Sequence, residues 1–245
     1  MPKTFNNNDK QIFYDIDYTL LYRELTAKPL FTNSKLTAWF IKKWILILKT
    51  HDCTNNYYNK LISYENHTNK NFYQPILYNT NQAYINFNIQ AFDNITKDSS
   101  KITKKEIMLE EFDKINGHIY WSMSDFDLTS LFSAILGGTC DDYPVYIVPL
   151  ITPTEMSTKI DALVIDGNHR INRAIEHKET AIPGLIFDKD YISDNKLFTS
   201  SFDMVFYIFY NEFNLFKQKK SQGIEDSILI MQSYLTKSGY EYNNI

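Results

Sequence analysis

Glycine and proline are scarce, at seven residues each in a chain of 245, and cysteine occurs only at Cys53 and Cys140. Two cysteines without CxxC spacing make neither a disulfide framework nor a cysteine-based zinc site. Strong charge of one sign is also missing. The 25 Lys and Arg residues face 29 Asp and Glu, giving a formal net charge of -4. No basic tail or block of like charges interrupts that balance, so the chain as a whole exerts no strong pull on nucleic acid, which leaves room only for a local basic patch. Long apolar runs are absent too. The most apolar stretch, Trp39 to Leu48, is broken by Lys42 and Lys43 and is too short to span a bilayer. The first residues are polar and lack the apolar core of a secretory signal. What is present is ample apolar content, 44% hydrophobic against 22% charged. That composition belongs to a globular chain. A soluble, cytoplasmic protein without a membrane partner is the expectation.

All the glycines lie at or beyond Gly117. This asymmetry divides the chain into an N-terminal helical and strand elaboration (1–116), a regular α/β core (117–190) and a C-terminal helical extension (191–245). In the first segment Ser34 is placed to cap a helix running to about Lys49, with Leu36, Trp39, Phe40, Trp44, Ile47 and Leu48 mostly at helical spacing. Asn-rich runs such as Asn6-Asn7-Asn8 and Asn55-Asn56 read as solvated loops. Ile85, Phe87, Ile89 and Ala91 alternate with polar residues, which predicts a half-buried strand. Thr103-x-x-Glu106 fits a capping box opening a helix to about Ile115, with Gly117 ending it.

The core segment has a tighter rhythm. His118 to Trp121 reads as a short strand, and Ser124 caps a helix that Gly137 and Gly138 stop. Val145 to Val148 and Ala162 to Ile165 are strands, and a helix runs from Gly167 to about His177. Ile182 to Phe187 returns as a strand whose Pro183 predicts an edge position. In the last segment Phe202, Val205, Phe206, Phe209, Phe213 and Phe216 form one aromatic stripe, a core face. Ile224 to Leu235 predicts a final helix.

Chemistry concentrates in Ile165-Asp166-Gly167-Asn168-His169-Arg170-Ile171-Asn172-Arg173. A buried strand ends at Asp166, Gly167 permits a tight turn, and a helix begins at once. The first N–H groups of a helix lack internal acceptors and carry the positive end of its dipole, which suits an anion. Cations ordinarily avoid that end, yet His169, Arg170 and Arg173 cluster there. A polyanion among them makes sense of the pattern, with Arg170 as a bidentate fork and His169 as a further donor. Asp166 is placed to hold a metal ion, to cap the turn, or to accept a proton from a substrate hydroxyl. The bland alternative is that Asp166 caps the helix while Arg170 and Arg173 pair with surface carboxylates.

With these residues in view, the block from about His118 to Asp188 resembles the ParB/sulfiredoxin-like superfamily over under a third of the chain. In that family a strand, helix, strand, strand, turn, helix, strand order surrounds a Gly-x-His/Arg-Arg turn that receives nucleotide phosphates. The resemblance implies an α+β protein: a ParB/sulfiredoxin-like mixed-sheet core with N-terminal and C-terminal helical elaborations. Sulfiredoxin places a catalytic cysteine where this chain has Asn168, which argues against sulfinic acid repair. The partitioning proteins bind CTP through Gly-Glu-Arg-Arg-x-Arg-Ala. Asn168, His169 and Asn172 depart from that pattern. The Asp-Gly-x-His-Arg form is similar to the free-serine kinase branch, whose members set a small substrate beside a nucleotide. The resemblance therefore implies Mg²⁺ and a nucleotide (ATP, ADP or CTP), with Gly167, Asn168, His169, Arg170 and Arg173 around phosphate. Asp166 stands as metal ligand or base. Phosphoryl transfer depends mainly on positioning and charge neutralisation, and Asp125 or Asp127, at the start of the preceding helix, is the candidate second acid.

Two other functions compete. One is a non-catalytic regulatory or DNA-associated module that keeps the phosphate turn. Against DNA, the C-terminal helix is rich in Phe and Tyr, and Lys217, Lys219 and Lys220 read as a solvated helix end. The other starts from Asp15-Ile16-Asp17-Tyr18-Thr19-Leu20, which resembles the Asp-x-Asp-x-Thr-Leu motif of haloacid dehalogenase-like phosphatases. That resemblance implies Asp15 as nucleophile and Asp17 as acid/base, with Asp141-Asp142 as the later acidic pair. Tyr18 replaces the usual glycine. His51, His67, His118 and His177 show no metal-ligand spacing.

Overall fold

The computed structural model describes residues 16–65, 71–78, 81–96, 102–113, 117–121, 143–152, 161–188, 197–198 and 200–237, with the backbone alone over 53–84. Among these residues the chain is a mixed α+β protein. Helices α1 (Tyr18–Ala27) and α2 (Ser34–Glu65) lead to a hairpin, β1 (Asn71–Tyr78) and β2 (Asn81–Asn88), and then α3 (Ile89–Ile95). Strand β3 (Ile102–Met108) and a short 3₁₀ turn (Leu109–Phe112) precede β4 (Ile119–Tyr120), β5 (Val145–Pro149) and β6 (Ala162–Asp166). Helix α4 (Asn168–Glu176), β7 (Ala181–Phe187), α5 (Ser201–Ser221), α6 (Asp226–Gln232) and α7 (Tyr234–Lys237) complete the order. The main sheet has five strands in the order β3-β7-β5-β6-β4, and the hairpin forms a second, two-stranded sheet. Pairs β3–β7 and β5–β6 are antiparallel, while β5–β7 and β4–β6 are parallel.

Strand periodicity decides which side chains meet which layer. Tyr146, Val148, Leu163, Ile165, Leu185 and Phe187 enter a large core built with α1, α2, α3 and α5. Val145, Ile147, Val164 and Ile182 enter a smaller core closed by Ile171 and Ala174 of α4 and by Phe112. The sheet is therefore covered on both faces, and that is why β5 and β6 read as continuous apolar runs rather than alternating ones. Phe202, Val205, Phe206, Phe209, Phe213 and Phe216 are all buried in the larger core, as their spacing predicts. Trp44 of α2 packs on Phe209 and Tyr234 there.

Several expectations need correction. Helix α2 does not stop near Lys49 but runs to Glu65, taking in Asn55-Asn56. Asn is a poor helix former without being a breaker, and no Gly or Pro interrupts the stretch. Its cap is Asn33 rather than Ser34, with Oδ1 accepting from Lys35 and Leu36 N–H. Strand β2 ends at Asn88, whose side chain accepts from Ala91 N–H, so Ile89 and Ala91 belong to α3. Residues 103–108 form an outer strand, not a helix. Its Thr103 to Glu106 side chains are exposed, and charged side chains suit a sheet edge. Pairing along β7 overrides local helix propensity.

Strand β7 is internal, between β3 and β5. Pro183 is tolerated because pairing with β5 begins only at Gly184, which leaves the strand an edge locally at the proline. The last helix is broken at Ser233, whose extended backbone and Oγ, accepting from Leu235 N–H, start α7. The helix expected from Ser124 lies outside the described residues.

Helix α5 also carries polar side chains that bind strand and loop backbone. Tyr207 Oη donates to Pro149 O at 2.5 Å, Asn211 Oδ1 accepts from Ile151 N at 2.7 Å, and Asn214 Nδ2 donates to Ile151 O at 3.0 Å. Burial drives the Tyr207 phenol far above its ordinary range, so it stays a neutral donor. These bonds fix the exit of β5 onto the helix. Lys219 donates to Gln232 and Lys220 binds Asp226, so the C-terminal lysines tether α6 to the end of α5.

Candidate functional site

The turn predicted to carry chemistry is built as its residues suggest. Strand β6 ends at Asp166, and Gly167 takes a left-handed backbone at φ 100°, as the N-cap of α4. A Cβ on Gly167 would come 2.6 Å from Val145 Cγ1 and 2.9 Å from Arg170 Nη2. Both the conformation and the close approach require glycine. No side chain caps this helix start. Gly167→Ala is expected to cost about 1–2 kcal/mol from backbone strain and crowding, read as a lower midpoint in urea unfolding.

The register between β5 and β6 slips beside the turn. Tyr146 pairs with Asp166 and Ile147 with Val164, so Ile165 is one residue extra. Such a bulge re-aims the side chains that follow it. Arg170 sits one helical turn beyond Asp166, and its Nη2 donates to Asp166 Oδ2 at 2.6 Å. Its Nη1 donates to two backbone carbonyls, Tyr143 O at 2.6 Å and Pro144 O at 2.7 Å. The guanidinium thus clamps three segments together: the strand end, the helix start and the chain entering β5. Sequence reasoning assigned Arg170 as an open fork for phosphate. The structure commits it to three protein acceptors. His169 and Arg173 are exposed on the same helix, and Asn168 is half-buried at its first position.

Beyond the bulge, Tyr146 Oη donates to Asp93 Oδ1 of α3 at 2.8 Å. Burial, the bond to Asp93, and the charges of Asp93 and Asp166 all raise the Tyr146 phenol well above its ordinary value. A carboxylate from the N-terminal segment therefore reaches β5, the strand that pairs with the end of β6. No motif marked Asp93, and only packing of α3 on the sheet brings it there.

Among the described residues, the other candidates are dispersed. Asp125, Asp127, Asp15, Asp141 and Asp142 lie outside the described residues. Asp17 caps α1, accepting from Thr19 and Leu20 N–H. His118 lies 3.6 Å from Glu111 and 4.0 Å from Asp161, and His177 is the C-cap of α4. Among the described residues, no group of three or more His, Cys, Asp or Glu is placed to hold a metal ion. Also among the described residues, no helix is long and apolar enough to cross a membrane. No family model, curated protein or solved structure matches the chain.

Proposed function

We propose that this chain is a nucleotide- or phosphate-binding protein whose Asp166–Arg173 turn receives a phosphate, and that it is a Mg²⁺-assisted phosphotransferase, akin to a small-molecule kinase, or a nucleotide hydrolase. The observation that carries the reading is the strand end, the left-handed glycine N-cap and the helix start, tied together by the Arg170 clamp. Helix N–H groups with nearby cationic side chains form a ready anion site. In this reading His169 and Arg173 contact phosphate oxygens, while Arg170 positions the turn that presents them. The strand, strand, turn, helix, strand succession of β5, β6, α4 and β7 agrees with the order expected of a ParB/sulfiredoxin-like core. That family assignment is part of the proposal.

The turn also fits Mg²⁺ in number and kind of ligand. Mg²⁺ is commonly held by one or two carboxylates together with substrate phosphates. Arg170 engages Asp166 Oδ2, so Asp166 would offer the ion its other carboxylate oxygen. The ion would supply neutralisation of phosphate charge. Asp166, tied to Arg170, would either hold that ion or orient an acceptor hydroxyl. A second reading, a non-catalytic regulatory module, is favoured by the same 2.6 Å pair, which spends Asp166 on holding the turn. DNA association gains nothing from Lys219 and Lys220, which are used to tether α6.

Thermal unfolding with ATP, ADP, CTP and GTP, each with and without Mg²⁺, tests the site. At a hundredfold excess over Kd, binding adds about 2.7 kcal/mol of stability, or roughly 5–10 °C in a chain of this size. A nucleotide-specific rise that is lost in the His169→Ala/Arg173→Ala double variant is the expected result. Absence of any rise at ligand concentrations well above millimolar overturns the proposal.

A further inference from the structure

Strand β3 ends the main sheet with a full-length strand, Ile102–Met108, whereas β4 at the opposite edge is only Ile119–Tyr120. An open edge carries free N–H and C=O groups that invite another strand, so natural sheets keep such edges short, charged or covered. Among the described residues β3 pairs with β7 alone. Its Thr103 to Glu106 side chains are exposed, and Met108 is 43% exposed. Leu109 N–H donates to Thr180 O at 3.0 Å, one step beyond the pairing of Met108 with Ala181. Hydrogen-bonded and non-hydrogen-bonded pairs alternate along an antiparallel ladder. Thr103, Lys105 and Ile107 therefore bond to β7, while Ile102, Lys104, Glu106 and Met108 turn their main-chain groups outward. Pro183 lies opposite Glu106 and fits this phase, since it has no N–H to give.

The outward set reads apolar, positive, negative, apolar, and that order is complementary to its own reverse. We propose that β3 is a homodimer edge, pairing antiparallel with β3 of a second copy about a two-fold axis at Lys105. Two five-stranded sheets then become one continuous sheet. In this register Lys104 of each copy faces Glu106 of the other, and each exposed Met108 is covered by the other copy's Ile102. Opposite charges directly across an antiparallel pair stabilise it, and like charges destabilise it. Moving the axis to Lys104 sets lysine against lysine, and moving it to Glu106 sets glutamate against glutamate. Charge selects one register. The two Lys105 side chains meet at the axis on the other face, where each has its own Glu111 at 3.4 Å. Glu111 Oε1 also accepts from Met108 N–H at 3.2 Å, so main-chain pairing centres on Lys104 and Glu106. A two-fold contact of this kind is closed and stops at the dimer.

Sedimentation equilibrium of the full chain over roughly 1–200 μM is expected to show a monomer–dimer equilibrium that weakens with salt. Lys104→Glu and Glu106→Lys each set like charges opposite one another, and each is expected to weaken the dimer about tenfold or more. Both side chains are exposed, so both variants are expected to keep the wild-type circular dichroism. Mixing the two variants is expected to restore the dimer, because each reversed charge then faces an unlike charge. The double swap Lys104→Glu/Glu106→Lys keeps both pairs and is expected to dimerise as the wild type does. A wild-type chain that stays monomeric throughout refutes the interface and makes the same charges a guard against strand pairing. A dimer that survives both single reversals, or that neither the mixture nor the double swap restores, refutes the register and the proposal with it.

Discussion

Asp203→Ala is expected to lower stability by about 3–5 kcal/mol, the largest loss for any single polar substitution considered in this chain. Asp203 is fully buried in the first turn of α5. Its Oδ1 accepts from Asn86 N–H at 2.9 Å and from Asn86 Nδ2 at 2.5 Å. Its Oδ2 accepts from Ser200 Oγ at 2.5 Å, and Ser200 Oγ in turn accepts from Asp203 N–H at 3.1 Å. One carboxylate thereby closes a helix cap and joins that helix to the middle of β2. Truncation leaves the Asn86 donors buried beside a void. The cost is the desolvation of groups that water cannot reach, rather than merely the net value of the bonds. Asp203→Asn retains one carbonyl oxygen and is expected to lose less than half as much. Urea denaturation of the two variants measures the difference. Equal, small losses for both would show that the carboxylate is not what joins hairpin and helix.

Arg170→Ala is expected to cost about 2–3 kcal/mol and to abolish nucleotide-dependent stabilisation as well. The guanidinium serves three acceptors from two parts of the chain. Asp166 is 35% exposed at its side chain, so solvent screens part of the ion pair. The carbonyls of Tyr143 and Pro144 contribute the rest. Arg170→Lys is expected to recover little, because a single ammonium lacks the planar fork that reaches acceptors on two sides. The double readout matters. A fall of roughly 4–12 °C in melting temperature with nucleotide binding intact would make Arg170 a purely structural tie. Loss of binding with an unchanged melting temperature would make it a direct phosphate ligand whose protein contacts are dispensable.

Much of the frame around the site is legible in the residue order, for local reasons. The stop at Asp166, the glycine and the immediate helix follow from turn chemistry that acts within a few residues. The apolar runs at 145–148 and 162–165 read as strands because both faces of the sheet are covered. The α5 stripe reads as core because 3.6-residue periodicity is a property of one segment alone. The strand at 102–108 was not legible. Its Lys104, Lys105 and Glu106 are compatible with a helix, and only pairing to β7 makes them an edge. The internal place of β7 was hidden for a similar reason, since the meaning of Pro183 depends on where a neighbouring strand begins.

The residue types of the candidate site were therefore present in the sequence, while their partners were not. Local order determined that Asp166, Gly167, His169, Arg170 and Arg173 share one turn, because a strand end followed by a glycine-initiated helix allows little else. Tertiary structure alone decided that Arg170 grips Tyr143 and Pro144, that Tyr143 keeps its ring in solvent, and that Asp93 reaches Tyr146. The physical reason is common to all three. A backbone carbonyl has no residue-type signature, and a side chain's acceptor is chosen by which segments the sheet and its packed helices bring within 3 Å.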